Sequence, residues 1–333
     1  MEQLDLLENS MKKVMTKMKI NTLLTYMLGL VLLNSCSNGS KPQDTATRGT
    51  ITVAVDESLK PIIEAQKDVF ESIYPEAKLN MIYTNEADAL YLLANDSARI
   101  AIVTRELYPE EQAPLNQLRI RPRYTDIAYD AIAIIANNEN PHMLFTKDQL
   151  AKVLSGEIKT WKQLNDKLQD EPINVVFDSP KSGAIRLLQD TLLNGEKVGT
   201  NCFALHGNPE VIQYVKENKN ALGLIGVAWI SDRDDTTSVK FTQEVKVLEM
   251  VPADPSTAEE AYMGPYQAFI ALKQYPLWRK VMVVSREGRI GLGTGFASFI
   301  ASDKGQRIVL KSGLVPALAP IRIVQVNDKP LNL

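Results

Sequence analysis

Short apolar runs alternate with segments of helical period along this 333-residue chain, and no other feature limits its fold so strongly. Residues 51–55 are expected as a strand. Residues 61–74 follow as a helix whose inward stripe is Ile62, Ile63, Gln66, Val69, Phe70 and Ile73. Pro61 suits the first helical turn, where its missing N–H costs nothing. Residues 79–83 and 100–103 are further strands, with a helix over 87–94 between them. Residues 127–136 alternate and then turn continuously apolar, as a long central strand does. Thr146 and Gln149 form a capping box for a helix that stops at Gly156. Residues 173–177 and 182–193 repeat strand then helix. Asn208-Pro209 opens another helix with a cap and a first-turn proline. Residues 222–225, 245–250 and 268–272 are expected as strands, and a closing helix ends at Gly313. This alternation predicts an α/β fold of mostly parallel sheets flanked by helices. There is no internal repeat.

The N-terminal region has a different grammar. Lys12, Lys13, Lys17 and Lys19 precede an apolar run over 20–33, broken only by Asn21, Thr22 and Thr25, and then Leu33-Asn34-Ser35-Cys36. A basic stretch, an apolar stretch and a small residue make a secretory signal. The cysteine directly after them resembles the lipobox of bacterial lipoproteins, which implies lipidation at Cys36 and removal of residues 1–35. A plain signal peptide, or a membrane anchor with an incidental cysteine, is the alternative. The run is short against the roughly 20 apolar residues of a span. The acidic stretch 1–10 fits no signal, so Met11 or Met18 is the expected start. Residues 36–48 are too polar to pack and are expected as a flexible tether. The working protein would then be a periplasm-facing lipoprotein, held to a membrane of the cell envelope through its anchor.

The remainder is long enough for two lobes, and with 45% hydrophobic residues it can bury sizeable cores. A formal charge of −3 speaks against a nucleic-acid partner, which would want a basic face. With Cys36 lipidated, only Cys202 remains, so no internal disulfide can form; Cys202 is expected as a small buried hydrophobe. Acidic loops near 232–235 and 254–260 are too short to be linkers, so two lobes would be joined by more than one crossing of the chain.

Catalytic chemistry is missing from the sequence. His142 and His206 have no cysteine or carboxylate at ligand spacing, which argues against zinc or another metal. There is no G-x-S-x-G elbow, H-E-x-x-H pair or Walker loop. Gly291-Leu292-Gly293-Thr294-Gly295 does not fit G-x-G-x-x-G and is expected as tight packing before a helix. No nucleophile has a base, so neither an enzyme nor a cofactor is expected.

Three strand-to-helix junctions carry the remaining signal: Asp56-Glu57-Ser58, Thr84-Asn85, and the loop ending at Ser182-Gly183. Each sets a hydroxyl or amide beside free main-chain N–H groups at a helix start and a strand's carboxyl end. Helix starts attract anions through unsatisfied donors and partial positive charge, and ligands collect at the carboxyl ends of strands. Any one could be an ordinary cap. Together they indicate an oxyanion cleft.

Ser182-Gly183-Ala184-Ile185-Arg186 resembles the Ser-Gly-Thr motif of PstS-like phosphate-binding proteins, the substrate-binding components of phosphate ABC transporters. Residues 100–107 (IAIVTREL), 127–135 (IAYDAIAII), 154–161 (LSGEIKTW) and 221–226 (ALGLIG) are similar to further stretches of that family. The resemblance covers most of the chain from about Arg48. It implies a two-lobed periplasmic binding protein of the second type: lobe 1 from 49–130 and 256–333, lobe 2 from 131–255, with hinge closure over a ligand between them. Ser58, Thr84, Asn85, Thr104, Arg105, Asp178, Ser182, Gly183 and Ala184 fall on its ligand loops. Asp178 stands where the family often carries arginine, Arg105 where some members carry aspartate, and Ala184 where the motif has threonine. The second loop lacks the family's Gly-Ser-Gly. The implied ligand is an inorganic oxyanion, phosphate first, delivered to an ABC transporter permease. An envelope interaction or sensor protein that kept the fold without the solute is the alternative. Arg105 and Asp178 are expected to face each other, either as a swapped anion holder and proton acceptor or as an interlobe ion pair.

Overall fold

The strand-to-helix alternation closes into one mixed sheet. The computed structural model describes residue 15, residues 44–254, residue 256 and residues 262–319; the leader, Cys36 and the tether up to residue 43 lie outside the described residues. In chain order the strands are β1 (Gly49–Asp56), β2 (Ala77–Thr84), β3 (Ile100–Val103), β4 (Arg123–Asn137), β5 (Leu144–Phe145) and β6 (Asn174–Phe177). Then come β7 (Cys202–Ala204), β8 (Ala221–Gly226), β9 (Val245–Val247), β10 (Glu249–Met250), β11 (Trp278–Ser285) and β12 (Val315–Pro316). The helices are α1 (Lys60–Ile73), α2 (Glu86–Ala94), α3 (Pro109–Gln117), α4 (Lys147–Ser155), α5 (Trp161–Leu164) and α6 (Gly183–Leu192). They continue with α7 (Asn208–Glu217), α8 (Thr236–Glu244), α9 (Gln267–Ala271), α10 (Leu292–Ala301) and α11 (Asp303–Lys311).

Among the described residues the main sheet runs β2-β1-β3-β11-β4-β8-β6-β7, with β9 and β12 also on β4. The trios β2-β1-β3 and β8-β6-β7 are parallel, and β11 and β4 join them antiparallel. β4 is the shared element. It pairs with β11 up to Ala131 and with β8 from Ile132 onward. Its residues from Ala131 to Ala136 are fully buried, because the sheet is covered on both faces there. The carboxyl ends of β1, β2 and β6 thereby point their loops into a common region.

Local chemistry explains most boundaries. Thr146 accepts from the Gln149 N–H while the Gln149 side chain accepts from the Thr146 N–H, and Gly156 ends α4 in the left-handed region. Three expectations are corrected. Residues 268–272 are not a strand but α9, because so short an apolar run has no decisive period and only Ile270 is buried. Asn208 is not the cap of α7; Gly207 precedes the helix without a side-chain cap, and the Asn208 amide is used elsewhere, as described below. The flexible tether ends earlier than residue 48. Asp44 accepts from the Leu292 N–H at 2.8 Å and pairs with Arg289, so the chain is docked from there. That docking also explains the glycine-rich stretch 291–295. Gly295 lies inside α10, and a Cβ there would overlap the Ala46 carbonyl oxygen. The Glu287 carboxylate accepts from the N–H groups of Gly293 and Thr294.

Among the described residues no helix is long and apolar enough to cross a membrane, and no cluster of metal-binding side chains occurs. His142 packs edge-on against Phe145 at 4.7 Å between ring centroids and tilts over Trp161. Cys202 is half-buried against the core, with its thiol pushed up to about 12 by burial.

Candidate oxyanion site

The loops after β1, β2, β3 and β6 meet around two buried carboxylates. After β1, Asp56 caps a single 3₁₀ turn: its Oδ1 accepts from the Ser58 N–H at 3.0 Å and the Ser58 hydroxyl at 2.9 Å. That hydroxyl in turn accepts from Arg279 Nη2 at 2.8 Å. Arg279 is the second residue of β11 and is buried, donating at 2.9 and 2.7 Å to Oδ2 of the equally buried Asp130 on β4. Asp56 Oδ2 has no hydrogen-bond partner. Burial pushes the Asp56 carboxyl up to about 7, with Arg279 opposing and Glu86 and Asp178 adding to the rise.

After β2, Asn85 caps α2 by accepting from the Asp88 N–H at 2.9 Å. The next residue, Glu86, is turned inward and buried. Its Oε1 accepts from the Thr104 N–H at 2.9 Å and from the Thr104 hydroxyl, and its Oε2 accepts from Arg186 Nε at 2.6 Å. Arg186 also donates to the Thr104 hydroxyl at 3.1 Å. Burial alone would raise Glu86, but the Arg186 charge and the hydrogen bonds from Arg186 and Thr104 outweigh it and hold the carboxyl below its ordinary range. Glu86 thus collects a main-chain N–H, a hydroxyl and a guanidinium, the donor set an oxyanion would use.

After β6, Ser182 caps α6, its hydroxyl accepting from the Ala184 N–H at 3.0 Å. Gly183 brings the start of α6 against both acids: a Cβ there would lie 2.8 Å from Asp56 Oδ2 and 3.0 Å from Glu86 Oε1. The partial positive charge of the helix start faces those carboxylates. Asp178 is buried, with Oδ1 lacking a partner, and burial pushes it up to about 6. Thr84, Asn85 and Asp178 line an adjoining cavity with Glu57 and His206. Glu57 Oε2 accepts from the Asn208 N–H and, at 2.6 Å, from its amide, while Asn208 Oδ1 accepts from the Gly226 N–H at 3.0 Å.

Every residue expected at the site is brought to this region, but not every expected role survives. Arg105 does not face Asp178. It forms a two-point bond to Glu111 at 2.6 and 2.8 Å, lies 3.4 Å from Glu86 and stacks over Tyr108, so its charge is already committed. The expected ion pair of Arg105 with Asp178 is not formed. The guanidiniums that reach Glu86 Oε2 and the Ser58 hydroxyl at hydrogen-bond distance are those of Arg186 and Arg279. Arg279, Asp130 and Glu86 were missed, although a usable signal existed: Asp130 and Arg279 each interrupt an apolar strand, and a charge there needs a partner.

The family model described as PBP superfamily domain matches residues 40–304. Among curated relatives, a "Phosphate-binding protein PstS" of Staphylococcus aureus is 23% identical over 91% of this chain and 90% of its own length. Another "Phosphate-binding protein PstS", from Borreliella burgdorferi, is 24% identical over 90% of this chain and 99% of its own. Among solved structures, a putative phosphate ABC transporter substrate-binding protein with bound phosphate from Clostridium perfringens superposes with a TM-score of 0.67 at 23% identity. That match covers 81% of this chain and all of the other.

Proposed function

The chain belongs to the PBP superfamily, and from that we propose that it is an extracytoplasmic solute-binding protein for an inorganic oxyanion, phosphate first, which it delivers to an ABC transporter. It performs no chemistry on the solute. The relatives named for phosphate binding support the choice of ligand. One observation carries the site: Ser58, Thr104 and Arg186 donate to oxygens of Asp56 and Glu86 that stand in for an oxyanion, and the start of α6 at Gly183 packs against the same two carboxylates. In this reading solute takes over donors that Glu86 and Asp56 now hold. The two lobes are 49–130 with 256–333, and 131–255; the change of β4 partner at Ala131 and Ile132 supports that division. A lipid at Cys36 would keep the protein at its membrane.

Calorimetric titration with phosphate, sulfate and arsenate tests the ligand, and melting tests it independently. A solute bound by the native state alone stabilises it by about 2.7 kcal/mol at a hundredfold excess over Kd. Unchanged melting at millimolar concentrations of all three anions overturns the reading. It would favour the second one, an envelope interaction protein, for which the close packing of Asp56 and Glu86 against Gly183 speaks. Anchoring has its own check. Mass spectrometry of envelope protein should find a lipidated Cys36 as the first residue, and a retained leader would refute it.

A further inference from the structure

The cavity beside the oxyanion cradle has the wrong charge for an anion. It measures 490 Å³ and is lined among others by Glu57, Tyr83, Asn85, Asp178 and His206, with no lysine or arginine in its wall. A tetrahedral oxyanion leaves most of such a space empty, since one liquid water takes about 30 Å³. Two of the lining residues are carboxylates whose nearest cations, Lys60 for Glu57 and Arg279 for Asp178, act on them through space rather than from the cavity wall. Glu57 takes both its Asn208 hydrogen bonds on one oxygen. Asp178 is 5% exposed, and its Oδ1 has no partner. A buried carboxylate oxygen without a partner, as on Asp178, is costly, and the half-buried Glu57 repels Asp178 as well, adding to the rise that burial gives it. An ammonium group answers all of these demands, because it brings one positive charge and three donors.

Resting on the oxyanion reading above, we propose that this cavity takes a primary ammonium group. The solute would then be a zwitterion, with an oxyanion in the cradle of helix starts and an amine between Glu57 and Asp178. The link between the two charged ends is short because Asp178 both lines the cavity and contacts Ser182, which caps the cradle helix α6, and acts on Asp56 as well.

The test compares two probes that differ only by the amine, ethylphosphonate and 2-aminoethylphosphonate, with inorganic phosphate as a third titrant on the full protein. The amine should tighten binding at least tenfold. That ratio should fall to about one in Asp178→Asn, and should shrink at least threefold in Glu57→Gln, which serves if the first variant folds poorly. A wild-type ratio of one or less overturns the amine subsite, and if phosphate still binds, the oxyanion reading stands alone. A tenfold ratio that persists in both variants overturns its assignment to this cavity. Failure of all three titrants overturns both readings.

Discussion

Asp130 and Arg279 sit buried in the sheet and share two hydrogen bonds on Asp130 Oδ2, leaving Asp130 Oδ1 and Arg279 Nη1 without partners. Breaking such a pair by removing one partner leaves a buried charge uncompensated, so Arg279→Met should lower stability by about 3–5 kcal/mol in urea titration. The Arg279→Met, Asp130→Leu double variant should recover most of the loss. The same arginine opposes the rise of Asp56, which leads to a pH dependence. Asp56 and Asp178 titrate near 7 and 6 when folded, against 3.8 for an ordinary aspartate. Over that window the folded state therefore binds more protons than the unfolded one, and stability falls as pH rises. Ligand-free protein should melt at least about 2 °C higher at pH 5.5 than at pH 7.5. Asp56→Asn should flatten the slope, and a slope of opposite sign would contradict the assignment. At this scale the sequence revealed Ser58, Thr104 and Ser182, whose hydroxyls follow strands in order. It hid Glu86, Arg186 and Arg279, because Arg186 meets Glu86 across 100 residues and Arg279 meets Ser58 across 221. Spacing along a chain does not say which residues meet across such distances, even where, as at Arg279, a charge in an apolar run shows that some partner is needed.

Helices and strands report their own sequences more faithfully than sites do. The α4 cap was legible because both of its hydrogen bonds lie within four residues. Thr146→Ala should cost about 1 kcal/mol, measurable as a shift in urea midpoint at unchanged slope. The strand β3 was also legible, being four buried residues in a row. β11 was not, since Arg279 and Lys280 break its apolar pattern at the point where it meets Asp130 and the exposed Asp126. α9 was misassigned for the opposite reason, being apolar from Ala268 onward and too short to show a period. Gly295 offers a test of the docked segment before β1. Gly295→Ala would drive a methyl into the Ala46 carbonyl, and overpacking of this kind typically costs about 1–3 kcal/mol. The strain should appear locally, as faster proteolysis of residues 44–48, before it appears in global unfolding.

At the scale of the whole molecule, the sheet is assembled out of order. β11 lies between β3 and β4, yet 140 residues separate it from the end of β4. Any chain made or delivered from its N-terminus must therefore wait. Until residues 278–285 arrive, β3 keeps one unpaired edge, and the first half of β4 lacks its longest partner. Open edges of that kind are templates for aggregation, and pairings that close so late slow folding. A chain stopped just before Trp278 should thus collect in the insoluble fraction, whereas the full chain should stay soluble. β11 is in this sense a closing bolt: β3 and the first half of β4 cannot hold their final form until that strand has been threaded in.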